Sequence, residues 1–192
     1  MPRLLIVVGS TRPGRAGLPI SQWIAARAEA HGGFEVDVAD LAEIDLPLLD
    51  EPAHPRLQRY EHEHTKAWSA RVAAADAIVL VMPEYNHSFT APVKNALDYL
   101  HHEWKHKPVG IVSYGGVSAG TRAATAIKPV LAALKLSVAG EVPIPFMSRF
   151  IGDDGVVQPN DAMNAGADAM LDELVRVEAT LRPLRAPVSA TT

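Results

Sequence analysis

Short apolar runs alternate with amphipathic stretches along most of the chain. Runs of five to seven apolar residues predict buried strands, whereas apolar residues spaced three and four apart predict helices. The pattern predicts five strands, at residues 3–9, 34–39, 76–82, 108–114 and 138–142. It predicts five helices, at residues 18–31, 60–75, 91–102, 119–135 and 160–182. The second strand alternates apolar and polar positions, so we expect it at an edge of the sheet.

This order of strands and helices predicts a doubly wound parallel α/β sheet in a single domain. Residues 40–57, with three prolines, are expected to form a long loop. The domain is expected to span residues 1–182, followed by a flexible tail at 183–192. Ligands of such sheets bind beyond the carboxyl ends of the strands. The segments after the first, third and fourth strands are therefore the places to look for a site.

Composition narrows the possible partners. The 192 residues are 48% hydrophobic and 21% charged, with a net charge of −4. No block of like charge occurs, so neither nucleic acid nor a membrane is an expected partner. No signal peptide is expected at the start of this sequence, and its apolar runs are too short to span a bilayer, so a cytoplasmic protein is expected. Cysteine is absent, so any electron transfer requires a bound cofactor.

The loop after the first strand has the chemistry of a phosphate site. Residues 9–17 join a strand to the start of a helix, where backbone N–H groups and a partial positive charge point outward. Arg12 and Arg15 add guanidinium groups that match phosphate oxygens. The loop lacks the G-x-G-x-x-G pattern of dinucleotide sites and the G-K-[ST] of Walker loops. A terminal monophosphate is the better match, and a solvated basic turn is the alternative.

The loops after the third and fourth strands are candidates for the rest of the site. The third strand is expected to end before Pro83, and Thr90 is expected to cap the following helix. Paired glycines at 115 and 116 allow a ligand to approach the backbone closely. The alternatives are an ordinary loop with core aromatic residues and a glycine turn that needs positive φ.

Taken together, these segments resemble the NADPH-dependent FMN reductase family, which includes quinone, azo-compound and chromate reductases. The resemblance is carried by four motifs, namely G-S-T-R-x-x-R at residues 9–15, P-E-Y-N at 83–86, N-A-L-D at 95–98 and S-Y-G-G at 113–116. It runs from Leu4 to about Leu136. The resemblance implies a flavodoxin-like FMN-binding domain with a five-stranded sheet of order 2-1-3-4-5 and helices on both faces.

The resemblance also implies a set of cofactor-binding residues. Those holding the FMN phosphate would be Ser10, Arg12 and Arg15. Those lining the isoalloxazine would be Pro83, Glu84, Tyr85 and Asn86, largely through backbone groups. Those at the polar edge of the ring would be Ser113, Gly115 and Gly116. The chain departs from the family at Arg15, where serine is common, and at His87, where a small residue is common.

The function implied is a ping-pong, two-electron hydride transfer from NADPH or NADH through FMN to quinones, free flavin or similar small acceptors. The chemistry is that of the cofactor, so no general acid or base is assigned. His87 is a candidate proton donor to a reduced quinone, and an ordinary polar surface residue is the alternative. A flavodoxin-type electron carrier and an FMN-binding, redox-sensing interaction protein are the alternatives.

The family resemblance implies a homodimer or homotetramer. We expect the helices after the third and fourth strands to form the interface, because Phe89, Tyr99 and Trp104 give this region apolar area. No metal site is predicted, because neither histidine pair, His62 with His64 or His102 with His106, has a third converging ligand. His62 and His64 are expected on different faces of a helix.

Overall fold

The computed structural model describes residues 1–185, and residues 186–192 lie outside the described part. The strands are β1 (Arg3–Val8), β2 (Glu35–Asp40), β3 (Ala77–Pro83), β4 (Pro108–Gly115) and β5 (Ser137–Pro145). The helices are α1 (Gly17–His31), α2 (Leu41–Ile44), α3 (Glu63–Ala74), α4 (Ala91–Asp98), α5 (Thr121–Ala133) and α6 (Asp161–Leu181). Short 3-10 helices occur at Pro55–Leu57, Met147–Phe150 and Arg182–Arg185.

The five strands form one parallel sheet in the order β2-β1-β3-β4-β5, which confirms the predicted topology. β3 lies at its centre and is buried along its whole length. Its alternate side chains pack into two separate hydrophobic cores, one on each face of the sheet. The first core contains Ile78, Leu80 and Met82, and the second contains Val79 and Val81. Helices α3, α4 and α5 cover the first core, and α1 and α6 cover the second. The continuous apolar run therefore reflects a strand buried on both faces.

Helix α4 ends at Asp98, four residues before the predicted end at 102. Two tryptophan indoles bond carbonyls in its last turn. Trp68 Nε1 donates to the Ala96 carbonyl at 2.9 Å, and Trp104 Nε1 donates to the Leu97 carbonyl at 3.1 Å. The indole of Trp68, 28 residues away, and that of Trp104, seven residues on, thus bond carbonyls that a longer helix would use, and the local apolar spacing carries no sign of these contacts.

Strand β5 extends beyond its predicted end at residue 142 to Pro145. The sequence predicts an end at residue 142, and the prolines that follow at 143 and 145 are unfavourable inside a sheet. In the sheet β5 pairs with β4 alone, and an edge strand tolerates proline because one side of its backbone needs no ladder partner.

The segment at 40–57 contains α2 and a 3-10 turn, and it is fixed to α4. Asn95 Nδ2 donates to the Pro47 carbonyl at 2.7 Å, and the Leu49 amide donates to Asn95 Oδ1 at 3.0 Å. The Tyr99 hydroxyl bonds the same Pro47 carbonyl at 3.0 Å. Asn95, from the N-A-L-D motif, thus clamps this segment against the helix.

The start of the predicted tail is ordered. Residues 183–185 belong to the last 3-10 helix, and the rest of the predicted tail, 186–192, lies outside the described residues. Arg185 is paired with Glu178, and it donates to Asp76 and to the His106 carbonyl, each at 3.1 Å. This ionic network, invisible in the local sequence, holds the end of α6 against the sheet. Within residues 1–185 no helix has the length and apolar character needed to cross a membrane.

Candidate functional site

The loop between β1 and α1 is anchored on two neighbouring elements. The Gly9 amide donates to the Val81 carbonyl at 2.8 Å, and the Thr90 hydroxyl donates to the Gly9 carbonyl. Thr90 also caps α4, as predicted. Helix α1 begins at Gly17 with no side-chain cap and no acidic residue in its first turn. Its first N–H groups are therefore available to an anion.

The two arginines of this loop have different surroundings. Arg12 is exposed, and none of the ion pairs within residues 1–185 involves it. Arg15 instead pairs with Asp40, a buried carboxylate at the end of β2 that also accepts from the Ala42 amide at 3.0 Å. The charge of Arg15 is thus compensated, whereas Arg12 is free to meet an incoming anion.

Two buried hydroxyl-bearing side chains, Ser10 and Tyr114, lie beside the start of α1. Ser10 is buried, and its Oγ lies 3.0 Å from the Tyr85 hydroxyl. The Tyr114 hydroxyl is buried and has no hydrogen-bond partner within the described chain. A Cβ placed on Gly17 would lie 2.7 Å from Tyr114 Oη and 3.4 Å from Ser10 Cβ. These two side chains therefore border the first turn of α1.

The P-E-Y-N loop forms a tight turn. Tyr85 and Ser88 exchange two backbone hydrogen bonds at 2.9 and 3.0 Å, while Asn86 and His87 have φ of 49° and 66°. Two successive positive φ angles define a type I′ turn, and Asn and His tolerate them better than most residues. His87 lies at the exposed tip of this turn, and Tyr85 is 40% exposed to solvent.

Pro83 is the last residue of β3 and pairs with Tyr114, so the strand does not end before it as predicted. The missing N–H of the proline costs no ladder bond, because β1 has already ended and its pairing with β3 stops at Val81.

Glu84 forms an ion pair that the sequence analysis did not find. Its carboxylate accepts from the Arg122 side chain at 2.9 Å and from the Arg122 amide at 3.2 Å. Burial raises the pKa of the Glu84 carboxyl, but hydrogen bonds from Arg122 and Ser118 outweigh it and leave the pKa below its ordinary value. Glu84 is thus an anion compensated by Arg122, which lies 38 residues away and carries no local signal of this contact.

The two glycines of the loop after β4 differ in how much space surrounds their Cα atoms. A Cβ on Gly115 would lie 3.2 Å from the Gly120 amide nitrogen, whereas one on Gly116 would have no neighbour within 4 Å. Neither glycine has positive φ. The turn itself therefore does not require glycine at 116, and the residue leaves an open backbone surface.

Ser113 is buried, and its hydroxyl donates to the Ala119 carbonyl at 2.9 Å. The Gly116 carbonyl accepts from the amides of Ala119 and Phe146 at 3.1 and 3.2 Å. These bonds hold the loop in place and connect it to the end of β5.

Phe146, at the end of β5, was missed by the sequence analysis. It has φ of 48°, its side chain is 41% exposed, and the Arg149 guanidinium lies 4.6 Å from its ring centroid. Positive φ is strained for a bulky residue, and such strain concentrates at functional sites. Phe146 thus adds an aromatic surface to the rim formed by the glycine loop.

The histidines differ from expectation in one respect. His62 and His64 do not lie on different helical faces, because His62 precedes α3 and its ring stacks on that of His64 at 5.2 Å. No group of three or more His, Asp or Glu side chains suitable for a metal ion occurs in residues 1–185.

The residues present fit FMN, the cofactor that the motifs imply. The uncapped start of α1, the free Arg12 and the buried hydroxyls of Ser10 and Tyr114 suit one terminal phosphate. The open surface at Gly116 suits the edge of a flat ring.

Comparison with known proteins agrees with this fit. The chain is 39% identical over 160 residues to an NAD(P)H-dependent FMN reductase of Schizosaccharomyces pombe, covering 82% of this chain and 80% of the relative. It is 35% identical to the NAD(P)H-dependent FMN reductase LOT6 of Saccharomyces cerevisiae, covering 72% and 78%.

Among solved structures, FerB, a flavoenzyme NAD(P)H:(acceptor) oxidoreductase from Paracoccus denitrificans, superposes with a TM-score of 0.75 at 21% identity, covering 94% of this chain and 98% of FerB. This likeness shows a shared fold. The family model described as NADPH-dependent FMN reductase matches residues 2–146. The chain therefore belongs to the NADPH-dependent FMN reductase family.

Proposed function

We propose that this protein transfers hydride from NADPH or NADH, through bound FMN, to quinones, free flavin or similar small acceptors in a ping-pong reaction. The observation that carries the proposal is the joint presence of an anion site at α1 and an open backbone surface at Gly116. The anion site would hold the terminal phosphate, and the open surface would leave room for a planar ring.

In this proposal the phosphate end is held by Ser10, Arg12 and the first N–H groups of α1. Arg15 contributes the N–H groups that its pair with Asp40 leaves unused. Because Asp40 is buried, this pair also fixes the position of the Arg15 guanidinium beside the loop.

The ring end is lined by the backbone of Pro83, Glu84, Tyr85 and Asn86 on one side and by Gly115 and Gly116 on the other. The type I′ turn and the Glu84–Arg122 pair hold the first of these walls. Ser113 acts on the second wall through its hydrogen bond to the Ala119 carbonyl.

When bound, FMN supplies the hydride chemistry, and the side chains supply position and charge. Lys94 is paired with Asp98 and Arg122 with Glu84, so Arg12 is the main uncompensated positive charge of the site. No general acid or base is assigned. His87 borders a groove of about 380 Å³ with Arg122 and Thr125, where a proton donor would serve a reduced acceptor.

The kinetic order tests the proposal. If NADPH and the acceptor use the same open face, one must leave before the other binds. Initial rates measured against NADPH at several concentrations of a benzoquinone should give parallel double-reciprocal lines. Intersecting lines would contradict a shared face. Bound flavin with no turnover of NADPH or NADH with any acceptor would favour an electron carrier.

A further inference from the structure

The hydroxyl of Tyr114 is a buried polar group without a use in the protein itself. The residue is 6% exposed, and its Oη has no hydrogen-bond partner within the described chain. An unpaired buried hydroxyl destabilises a folded chain, and a phenylalanine would fill the same apolar core. The position of this group is therefore better explained by a partner that comes from outside.

The surroundings of this hydroxyl are those of an anion site. Tyr114 reaches from β4 to the first turn of α1, where a Cβ on Gly17 would lie only 2.7 Å from Oη. This 15-residue helix has no side-chain cap and no acidic residue in its first turn. Ser10 is buried on the same side of Gly17. An unpaired hydroxyl, a buried hydroxyl and an uncapped helix thus meet at one point.

The protonation state of the phenol agrees with a donor role. Burial raises the pKa of Tyr114 well above its ordinary value, and the nearby Tyr85 hydroxyl adds to the rise. The Ser10 hydroxyl, which lies close to Oη but without hydrogen-bond geometry, and the positive charges of Arg12 and Arg15 lower the pKa of the phenol by less than burial raises it. The phenol therefore keeps its proton and offers an O–H donor to an oxyanion.

We propose that the Tyr114 hydroxyl donates a hydrogen bond to the terminal phosphate of the bound ligand, between Ser10 and the start of α1. This inference rests on the proposed function, because it adds a residue to the phosphate end of the same site. Tyr114 is a binding residue in this assignment and takes no part in hydride transfer.

The test removes the hydroxyl and compares two ligands. Tyr114→Phe in the full-length, flavin-free chain should weaken FMN binding about fivefold to twentyfold, as flavin fluorescence measures, and change riboflavin binding less than twofold. The unfolding temperature of the flavin-free variant should stay the same or rise, because an unpaired polar group has been removed. Tyr60→Phe is the matched control. It removes a hydroxyl that donates to Glu103 at 2.9 Å, so it should lower the unfolding temperature and leave the FMN-to-riboflavin ratio unchanged.

A second variant and a second probe complete the test. Gly17→Ala places a methyl group against Oη and should also weaken FMN selectively. Inorganic phosphate should raise the unfolding temperature of the flavin-free wild type more than that of Tyr114→Phe.

Three results would overturn the assignment. Tyr114→Phe could weaken the binding of FMN and riboflavin equally, or it could leave FMN affinity unchanged. The third result is that the wild type binds neither FMN nor inorganic phosphate. Failure of the proposed function gives a different pattern. If neither flavin binds but inorganic phosphate protects the wild type alone, the phosphate site stands and the FMN function fails.

Discussion

At the scale of single residues, the first loop holds two arginines in different environments. Arg12→Ala should cost about 1.5–3 kcal/mol of FMN binding, the value of a charge-assisted hydrogen bond, or roughly tenfold to over a hundredfold in Kd. The free energy of unfolding of the flavin-free chain should barely change, because Arg12 is exposed. Flavin titration and urea unfolding measure the two quantities.

Arg15→Ala is the matched comparison. It leaves the buried Asp40 carboxylate without its ion-pair partner, so it should lower the free energy of unfolding as well as FMN affinity. A change in Kd below threefold for Arg12→Ala would mean that Arg12 belongs to the surface and not to the site.

Gly116 provides a steric test. Gly116→Leu should abolish FMN binding and leave the fold intact, because the new side chain has open space around its Cβ and no positive φ to oppose it. Circular dichroism and flavin content after purification measure the two outcomes. Val156→Leu, at an exposed valine outside this loop, is the control. Full flavin content in Gly116→Leu would show that the glycine has no role in binding.

The same substitution at Gly115 is less informative. A side chain there would press on the Gly120 amide nitrogen, 3.2 Å from the Cβ position, so Gly115→Leu is expected to disturb the loop itself. Lost flavin in that variant would not separate binding from folding.

At the scale of elements, the end of α6 depends on charge. Arg182 and then Arg185 lower the pKa of the buried Glu178 carboxyl in the folded chain, against the opposing effect of burial. The unfolded chain therefore binds this proton more readily than the folded one. The interaction stabilises the fold above the unfolded pKa of about 4.3 and is lost as the pH falls through the lower, folded value.

Urea unfolding at a series of acid pH values measures this effect. Glu178→Gln should lower the free energy of unfolding near neutral pH and flatten its decline below about pH 5. Glu173→Gln, on the more exposed side of the same helix, should leave the decline as it is. An unchanged decline in Glu178→Gln would mean that the network contributes nothing at this end of the sheet.

The elements show what the sequence could and could not predict. β3 was predicted nearly in full because a strand buried on both faces is a continuous apolar run. The ends of α4 and β5 were misplaced because they depend on tryptophan side chains and on an edge position that are set by tertiary contacts. The spacing of apolar residues along the chain therefore does not determine where this helix and this edge strand end.

The candidate site divides in the same way. The loops were found because glycine, proline and arginine mark them locally, whereas the Arg15–Asp40 and Glu84–Arg122 pairs join residues far apart in the chain. The isolated Phe146 had no motif around it, and its strained backbone appears only in the folded chain. Contacts between distant loops decide which of the marked residues remain free to bind.

At the scale of the whole molecule, family membership confirms FMN as the cofactor, NAD(P)H as the co-substrate and an FMN-dependent NAD(P)H oxidoreductase as the enzyme class. Two of the three expected interface residues need correction, whereas Phe89, which is only partly buried, stays a prediction. Tyr99 and Trp104 are 0% and 1% exposed within the chain's own core, so they are not available to a second copy. Their apolar character reflects packing against α3 and α4.

Other apolar side chains take their place in the prediction of a homodimer or homotetramer. Tyr85, Val117 and Phe146 are 40%, 80% and 41% exposed, and they follow three neighbouring strands at the end of the sheet that carries the site. A cluster of this kind suits an interface between copies.

Light scattering at micromolar concentration should report at least twice the 20.6 kDa of one chain. Val117→Glu should shift the protein towards the monomer, because a charge buried in an interface core is unfavourable. Leu184→Glu, at an exposed position beside the His106 end of the sheet, should leave the mass unchanged. A wild-type mass of one chain would contradict the assembly, and an unchanged mass in Val117→Glu would move the interface away from the site.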